Sequence, residues 1–351
     1  DEFRECFTQT LSRSRQPRWT PDLDIDDQPE LIEQIRTRLL PRRGVFARAD
    51  EILMTVGSQQ AFHLLAEALF DHTTRLGLED PGHPHARATF GLRAPRMTAL
   101  PVDGQGLMLD ALPPLDAVFV TPAQQSPTTV TMSTPRRERL LALARERDFI
   151  VIEDDYESGQ ERAQGAAALA LKSLDRDGRV VLIGSLPKTL SPAMRLAYIV
   201  GPSALLAPLR RLRHAMVRHP SALLQQVYAL FLSLGHHETH ERKVQAVMRE
   251  RIGILVRALQ RHLPTFQFQS PDGGSAVWIQ APAWVDSDEL ARIGAQHGVL
   301  IEPGSAFFDC PPRPCPFLRL RLSSIRSDRI EEGVRAMALA FKDYAANCAA
   351  R

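Results

Sequence analysis

Lysine is the scarce residue of this chain. Four lysines (Lys172, Lys188, Lys243 and Lys342) stand against 39 arginines in 351 residues. Cysteine is scarce too: Cys6, Cys310, Cys315 and Cys348 form no CxxC pair and have no histidine at zinc-finger spacing, so they offer no metal site. They read as reduced thiols of a cytoplasmic protein, with a Cys310–Cys315 disulfide across PPRP the lesser option. Aromatics make up only 6%, and nowhere do they interleave with clustered basic residues, which excludes a phosphate-tracking nucleic-acid surface on this part of the protein. No apolar run reaches the length of a membrane span, and no secretory leader opens the chain. The first residue is Asp1 rather than Met, which reads as a piece of something longer.

What is present is ordinary for a soluble globular protein: 44% apolar, 24% charged, net charge +2. At this length the chain suits two packed lobes rather than one small core. After a polar, partly helical segment (PELIEQIRTRLL), an alternation begins near residue 45. EILMTVG, RLGLED, MTALPVD, DAVFVTP, FIVIEDDY, RVVLIGS and LAYIVG read as strands, and the helices between them include SQQAFHLLAEALF, HPHARATFGL and TPRRERLLALARERD. The last of these starts on Thr134 as N-cap with Pro135 behind it. Such alternation predicts an α/β fold with a mostly parallel sheet flanked by helices. Beyond about residue 203 the pattern turns helical and then α+β. The expected divisions are 1–44, an N-terminal segment packing with the small domain; 45–235, a large domain; and 236–351, a smaller C-terminal α+β domain.

Lys188 lies in VVLIGSLPKTLSPAMRLAYIV, between two apolar runs that read as buried strands. An ammonium is costly there unless it is used, and a desolvated lysine is a nucleophilic amine suited to Schiff-base chemistry. Four other segments end predicted strands. Gly57-Ser58-Gln59-Gln60 opens a helix, where backbone N–H groups can hold a phosphate. Glu79 to His85 carries His83, which could stack on an aromatic ligand or occupy a turn. Thr121 to Thr128 offers amide side chains. Glu153-Asp154-Asp155-Tyr156 places three acids at the end of an apolar strand, expensive unless a cation faces them. Ser185 and Arg195 flank the lysine and could close on the same phosphate. Open α/β sheets bind ligands at strand C-termini. A phosphate holder, an amine, a carboxylate for a pyridinium nitrogen and a polar clamp are the parts that pyridoxal phosphate requires.

On these residues the chain resembles fold-type I pyridoxal-phosphate proteins of the aspartate aminotransferase superfamily. More narrowly it resembles the effector domain of MocR-type regulators in the GntR family, of the taurine- or ectoine-catabolism subgroup. The resemblance runs from about residue 30 to 340. It rests on QIRTRLLPRRGV, VTPAQQSPTTVTMS, IVIEDDYES, ALKSLDRDGRVVLIGSLPKTLSPAMRLAYIV and VLIEPGSAFF. It implies Lys188 as the internal aldimine, Asp154 on the pyridine nitrogen, and Tyr156 with Gln125 facing the phenolic oxygen. Ser58, Gln59, Ser185 and Arg195 would hold the phosphate, His83 would stand where a ring-stacking tyrosine is usual, and Arg319 would pair with a ligand carboxylate. The chain departs from the family at Gln124 (for histidine), Pro187 (for serine), and Ala193, Ala197 and Arg321 (for glycines). Arg321 either adds a second basic group for a more acidic ligand or points away.

The resemblance implies a homodimer that binds an amino-compound effector or substrate, meets DNA only through an upstream domain absent from this chain, and touches no membrane. Two functions use the same residues. One is a sensor in which an amine effector displaces Lys188 to form an external aldimine; the other is a free-standing aminotransferase acting on an amino acid or amine.

Overall fold

The computed structural model describes residues 1–20, 26–156, 169–186, 190–269 and 274–349. Lys188 and its neighbour Pro187 therefore lie outside the described residues. Helices α1 (Glu2–Thr10) and α2 (Pro29–Gln34) open the chain, and the path of α2 runs on through wider and tighter turns to Arg43. The alternation follows as β1 (Ile52–Thr55), α3 (Gly57–Leu69), β2 (Arg75–Asp80), α4 (Pro84–Gly91), β3 (Arg96–Asp103), β4 (Gly106–Leu107), β5 (Ala117–Val120), α5 (Thr134–Arg147), β6 (Ile150–Asp155), β7 (Val180–Ser185) and β8 (Ala197–Val200). Helices α6 (Ser203–Val217), α7 (Ala222–Ser233) and α8 (His236–His262) come next. The remainder is β9 (Gln267–Phe268), β10 (Ala276–Gln280), α9 (Ser287–Gln296), β11 (Glu302–Pro303), β12 (Phe317–Arg321) and α10 (Ile330–Ala349). Helix α5 is capped by Ser133, one residue ahead of the expected Thr134, so Pro135 sits second in the helix, where its missing N–H still costs nothing.

The chain divides into two compact units, with the first running to Lys243 apart from residues 80–84 and 125–130. Its eight-stranded sheet has the order β1-β8-β7-β6-β5-β2-β3-β4. Strands β2, β5, β6 and β7 are parallel neighbours, whereas β8 runs antiparallel to β7 and β1 to β8. Strands β1, β5 and β8 are buried at every position, as the unbroken apolar runs require of strands covered on both faces. Alternation assigns the two faces. Ile152, Ile183 and Ile199 pack with Phe62 and Leu65 of α3, and Val118, Val151 and Val180 pack with Leu140 and Leu143 of α5. Gly184 is required where it stands: it pairs with Tyr198, and a Cβ there would lie 2.2 Å from Cζ of that ring.

Residues 1–44, expected to pack with the smaller domain, belong to this first unit. Cys6, Leu31, Ile35 and Leu40 are buried with Tyr228 and Phe231. The cause is α7, which is apolar around most of its circumference and needs cover on more than one side.

The second unit comprises residues 80–84, 125–130 and 244 onward. Its four-stranded sheet has the order β11-β12-β10-β9, all antiparallel. One sheet face (Val277, Ile279, Leu318, Leu320) packs on α9, α10 and the C-terminal part of α8. All four cysteines are free thiols, Cys310 and Cys315 included. Among the described residues no helix is long and apolar enough to cross a membrane.

Candidate active site

Helix α3 begins on Gly57 at φ +72°, a left-handed turn that lets β1 pass directly into the helix. Its N-cap residue, Val56, has no side-chain oxygen, and Gln60 reaches back to accept the Val56 N–H at 2.8 Å. The N–H groups of Gly57, Ser58 and Gln59 lie in the first helical turn, where no intrahelical acceptor exists and the dipole favours an anion. The Gln59 side chain donates to Thr89 Oγ1, so its share in anion binding is its backbone. The Arg195 guanidinium closes this corner: a Cβ on Gly57 would lie 2.8 Å from its Cζ. Arg195 itself holds φ +52°. Bare backbone, helix N-terminus and guanidinium together form a cradle that fits a phosphate.

The three acids at the end of β6 take three different jobs, and strand alternation separates them. Glu153 and Asp155 lie on the α5 face with Val151. Asp154 lies on the opposite face with Ile152, under α3. Glu153 is fully buried; its Oε1 accepts the Leu171 N–H at 2.7 Å and its Oε2 the Lys172 N–H at 2.8 Å. Asp155 takes a two-pronged ion pair from Arg43, Nε to Oδ2 at 2.9 Å and Nη2 to Oδ1 at 3.1 Å. Asp154, 2% exposed, is thus the acid turned toward the face on which α3 presents its N-terminus. Ser185 ends β7 on that same face, two residues past Ile183, the partner of Asp154 across the parallel pair. Tyr156 follows directly after β6 and is half-buried.

Burial, with the charge of Asp155 behind it, pushes the Glu153 carboxyl from its ordinary value near 4.5 to about 7, while the two backbone N–H groups pull the other way. The folded protein therefore holds this proton more tightly than the unfolded chain does. The associated stability is fully present below about pH 4.5 and is lost as pH rises through about 7, on the order of 3 kcal/mol in total. Glu153→Gln is expected to flatten the fall in melting temperature between those pH values. A slope identical to that of the unsubstituted protein would remove Glu153 as its source.

The second unit holds His83, Gln125 and Arg319. His83 is half-buried, next to Gly82, whose N–H donates to the Phe307 carbonyl at 2.8 Å. Gln125 is fully buried and its amide is consumed locally. Nε2 donates to the Pro81 and Ser126 carbonyls (2.8 and 2.9 Å), and Oε1 accepts from Thr128 N and Oγ1 (2.9 and 2.6 Å). That exhausts its two hydrogens and its acceptor, so Gln125 builds the turn and the expected contact to a phenolic oxygen gets no support from it. Arg319 stands across from Glu302 in the β11–β12 register, Nη1 to Oε2 at 3.7 Å, with its Cζ 5.6 Å from the Phe307 ring centre. Among the described residues its buried Nε has no hydrogen-bond acceptor, a donor left over for a ligand oxygen. Arg321 is two residues on and exposed, so it shares the sheet face of Arg319; the option that it turns to the opposite face falls away.

Sequence reasoning missed Arg43 as the partner of Asp155, since 112 residues separate them. It also missed Glu302, although VLIEPGSAFF carries the family resemblance. An acidic side chain in an otherwise apolar strand was the available signal. Among the described residues no cluster of His, Cys, Asp and Glu could hold a metal ion.

A profile for the family described as aminotransferase class I and II matches residues 7–337. The HTH-type transcriptional regulator TauR of Rhodobacter capsulatus is 40% identical over 97% of this chain and 70% of its own length. The probable rhizopine catabolism regulatory protein MocR of Rhizobium meliloti is 30% identical over 90% of this chain, which spans 64% of it. Among solved structures, the alpha-aminoadipate aminotransferase LysN of Thermus thermophilus, complexed with N-(5'-phosphopyridoxyl)-L-leucine, superposes with a TM-score of 0.87. It is 28% identical and covers 98% of this chain, which covers 89% of LysN.

Proposed function

Because the chain belongs to the aminotransferase class I and II family, we propose that it is the pyridoxal-phosphate-binding, effector-sensing domain of a MocR-type transcriptional regulator. The observation that carries the regulatory half is the 40% identity to an HTH-type regulator across nearly the whole chain. The cofactor half rests on the cradle at Gly57 and Arg195 and on Asp154 beneath the same face. When bound, pyridoxal phosphate supplies an aldehyde carbon that captures amines. Ser58 and Gln59, through first-turn N–H groups, and Arg195 hold the phosphate; Ser185 stands on the same sheet face. Asp154 keeps a proton on the ring nitrogen, and its burial keeps water from competing for that contact. Lys188 would supply the amine that holds the cofactor's aldehyde carbon. Arg319 offers Nε and Nη to an acidic group of that compound. DNA is met through another domain, and the working unit is a homodimer.

The same residues would serve an aminotransferase, in which the released Lys188 amine moves a proton from the substrate carbon. The distinguishing experiment is incubation of the cofactor-loaded protein with amino donors and a keto acid. A sensor is expected to change absorbance once, on binding, without multiple turnovers. Sustained keto-acid conversion would overturn that reading in favour of the enzyme.

A further inference from the structure

The site leaves unused a buried polar chain in the first unit. Tyr228 of α7 is 1% exposed, and His237 and Glu241 of α8 are 5% and 3% exposed. The Tyr228 hydroxyl lies 2.8 Å from the Leu186 carbonyl oxygen and 3.0 Å from His237 Nδ1. His237 Nε2 lies 3.0 Å from Glu241 Oε1, and Arg42 Nη1 donates to Glu241 Oε2 at 3.2 Å. Around this chain stand Glu238 of α8, Tyr198 of β8 and the Phe231 ring. Burying three polar groups side by side costs free energy unless they satisfy one another.

Counting protons shows what the chain can do. Tyr228 has one hydroxyl proton and two acceptors within reach. If that proton goes to Leu186 O, His237 Nδ1 must carry hydrogen to donate to the phenol oxygen. If Nδ1 carries none, the tyrosine hydrogen can turn to Nδ1 instead, and the Leu186 carbonyl loses its donor. Leu186 is 4% exposed, its N–H donates to the Leu196 carbonyl at 3.2 Å, and Lys188 follows two residues later in sequence.

We propose that Glu241, His237 and Tyr228 are positioning residues that fix the Leu186 carbonyl and, through it, tune the chemistry of the Lys188 amine two residues on in sequence. The proposal rests on the reading that Lys188 carries the cofactor. The arrangement in which the tyrosine hydrogen meets Leu186 O holds that carbonyl, and the one in which it meets His237 Nδ1 releases it.

Two measurements test this on Tyr228→Phe and Glu241→Gln. In cofactor-free protein, hydrogen exchange of the peptide covering residues 180–197 is expected to accelerate about tenfold, the loss of one buried hydrogen bond. In cofactor-loaded protein, the pH midpoint of the bound cofactor's absorbance is expected to move in both variants. Glu241→Gln keeps size and hydrogen-bonding reach while removing the charge, so it serves if Tyr228→Phe fails to fold. A lower melting temperature with unchanged exchange at 180–197 and an unchanged midpoint would overturn the proposal and leave only packing. Should the unsubstituted protein bind no cofactor, the cofactor reading itself fails, and with it the part assigned to the Lys188 amine.

Discussion

Lys188→Ala is expected to reduce borohydride-fixed pyridoxyl mass from stoichiometric to none. Only a primary amine can be labelled this way, and the chain has few to offer. Two of the other three lysines are already committed: Lys172 Nζ is 2.8 Å from Asp175 and Lys243 Nζ is 3.1 Å from Glu2. Lys342 is exposed on α10, away from the apolar surroundings that activate an amine. Neither pairing nor exposure prepares an amine for attack, so no second site is expected to take over. Peptide mapping after reduction makes the check. Mass retained at residue 172, 243 or 342 of the variant would refute Lys188 as the attachment point. The cradle of Gly57 and Arg195 does not depend on Lys188, so the variant should still bind the cofactor reversibly.

The large sheet was legible because its strands are unbroken apolar runs closed by polar turns. RLGLED reads as Arg75–Asp80 and occupies those residues. FIVIEDDY and RVVLIGS likewise become β6 and β7 with their chemistry at the C-terminal ends. The reversed direction of β8 was not legible, since strand direction depends on connections and not on periodicity. At the site, residue types were readable and commitments were not. Gln125 has the amide that a ligand oxygen wants, but Thr128 and Pro81 engage it, and composition does not reveal such local competition. The N-terminal segment went astray for a related reason. Its apolar stripe shows that it packs, and only the all-round apolar α7 shows where.

The other large effect is expected from Asp154→Asn. Of three adjacent acids, Glu153 is tied to Leu171 and Lys172 N–H groups and Asp155 to Arg43, and both lie on the face away from α3. Asp154 alone faces the α3 side, where a ring held by its phosphate at Gly57 and Arg195 would bring its nitrogen. A buried carboxylate opposite a pyridinium is a charge pair whose truncation costs roughly 2–5 kcal/mol. Asparagine keeps the shape and loses the charge, so cofactor affinity should fall by about a hundredfold to a thousandfold. Asp155→Asn is the counterpart: it breaks the Arg43 pair and should lower thermal stability while moving cofactor affinity far less. Titration of each variant with pyridoxal phosphate, alongside its cofactor-free melting temperature, separates the two. If Asp155→Asn weakens the cofactor as much as Asp154→Asn does, alternation along β6 has not selected the acid and the assignment of Asp154 falls.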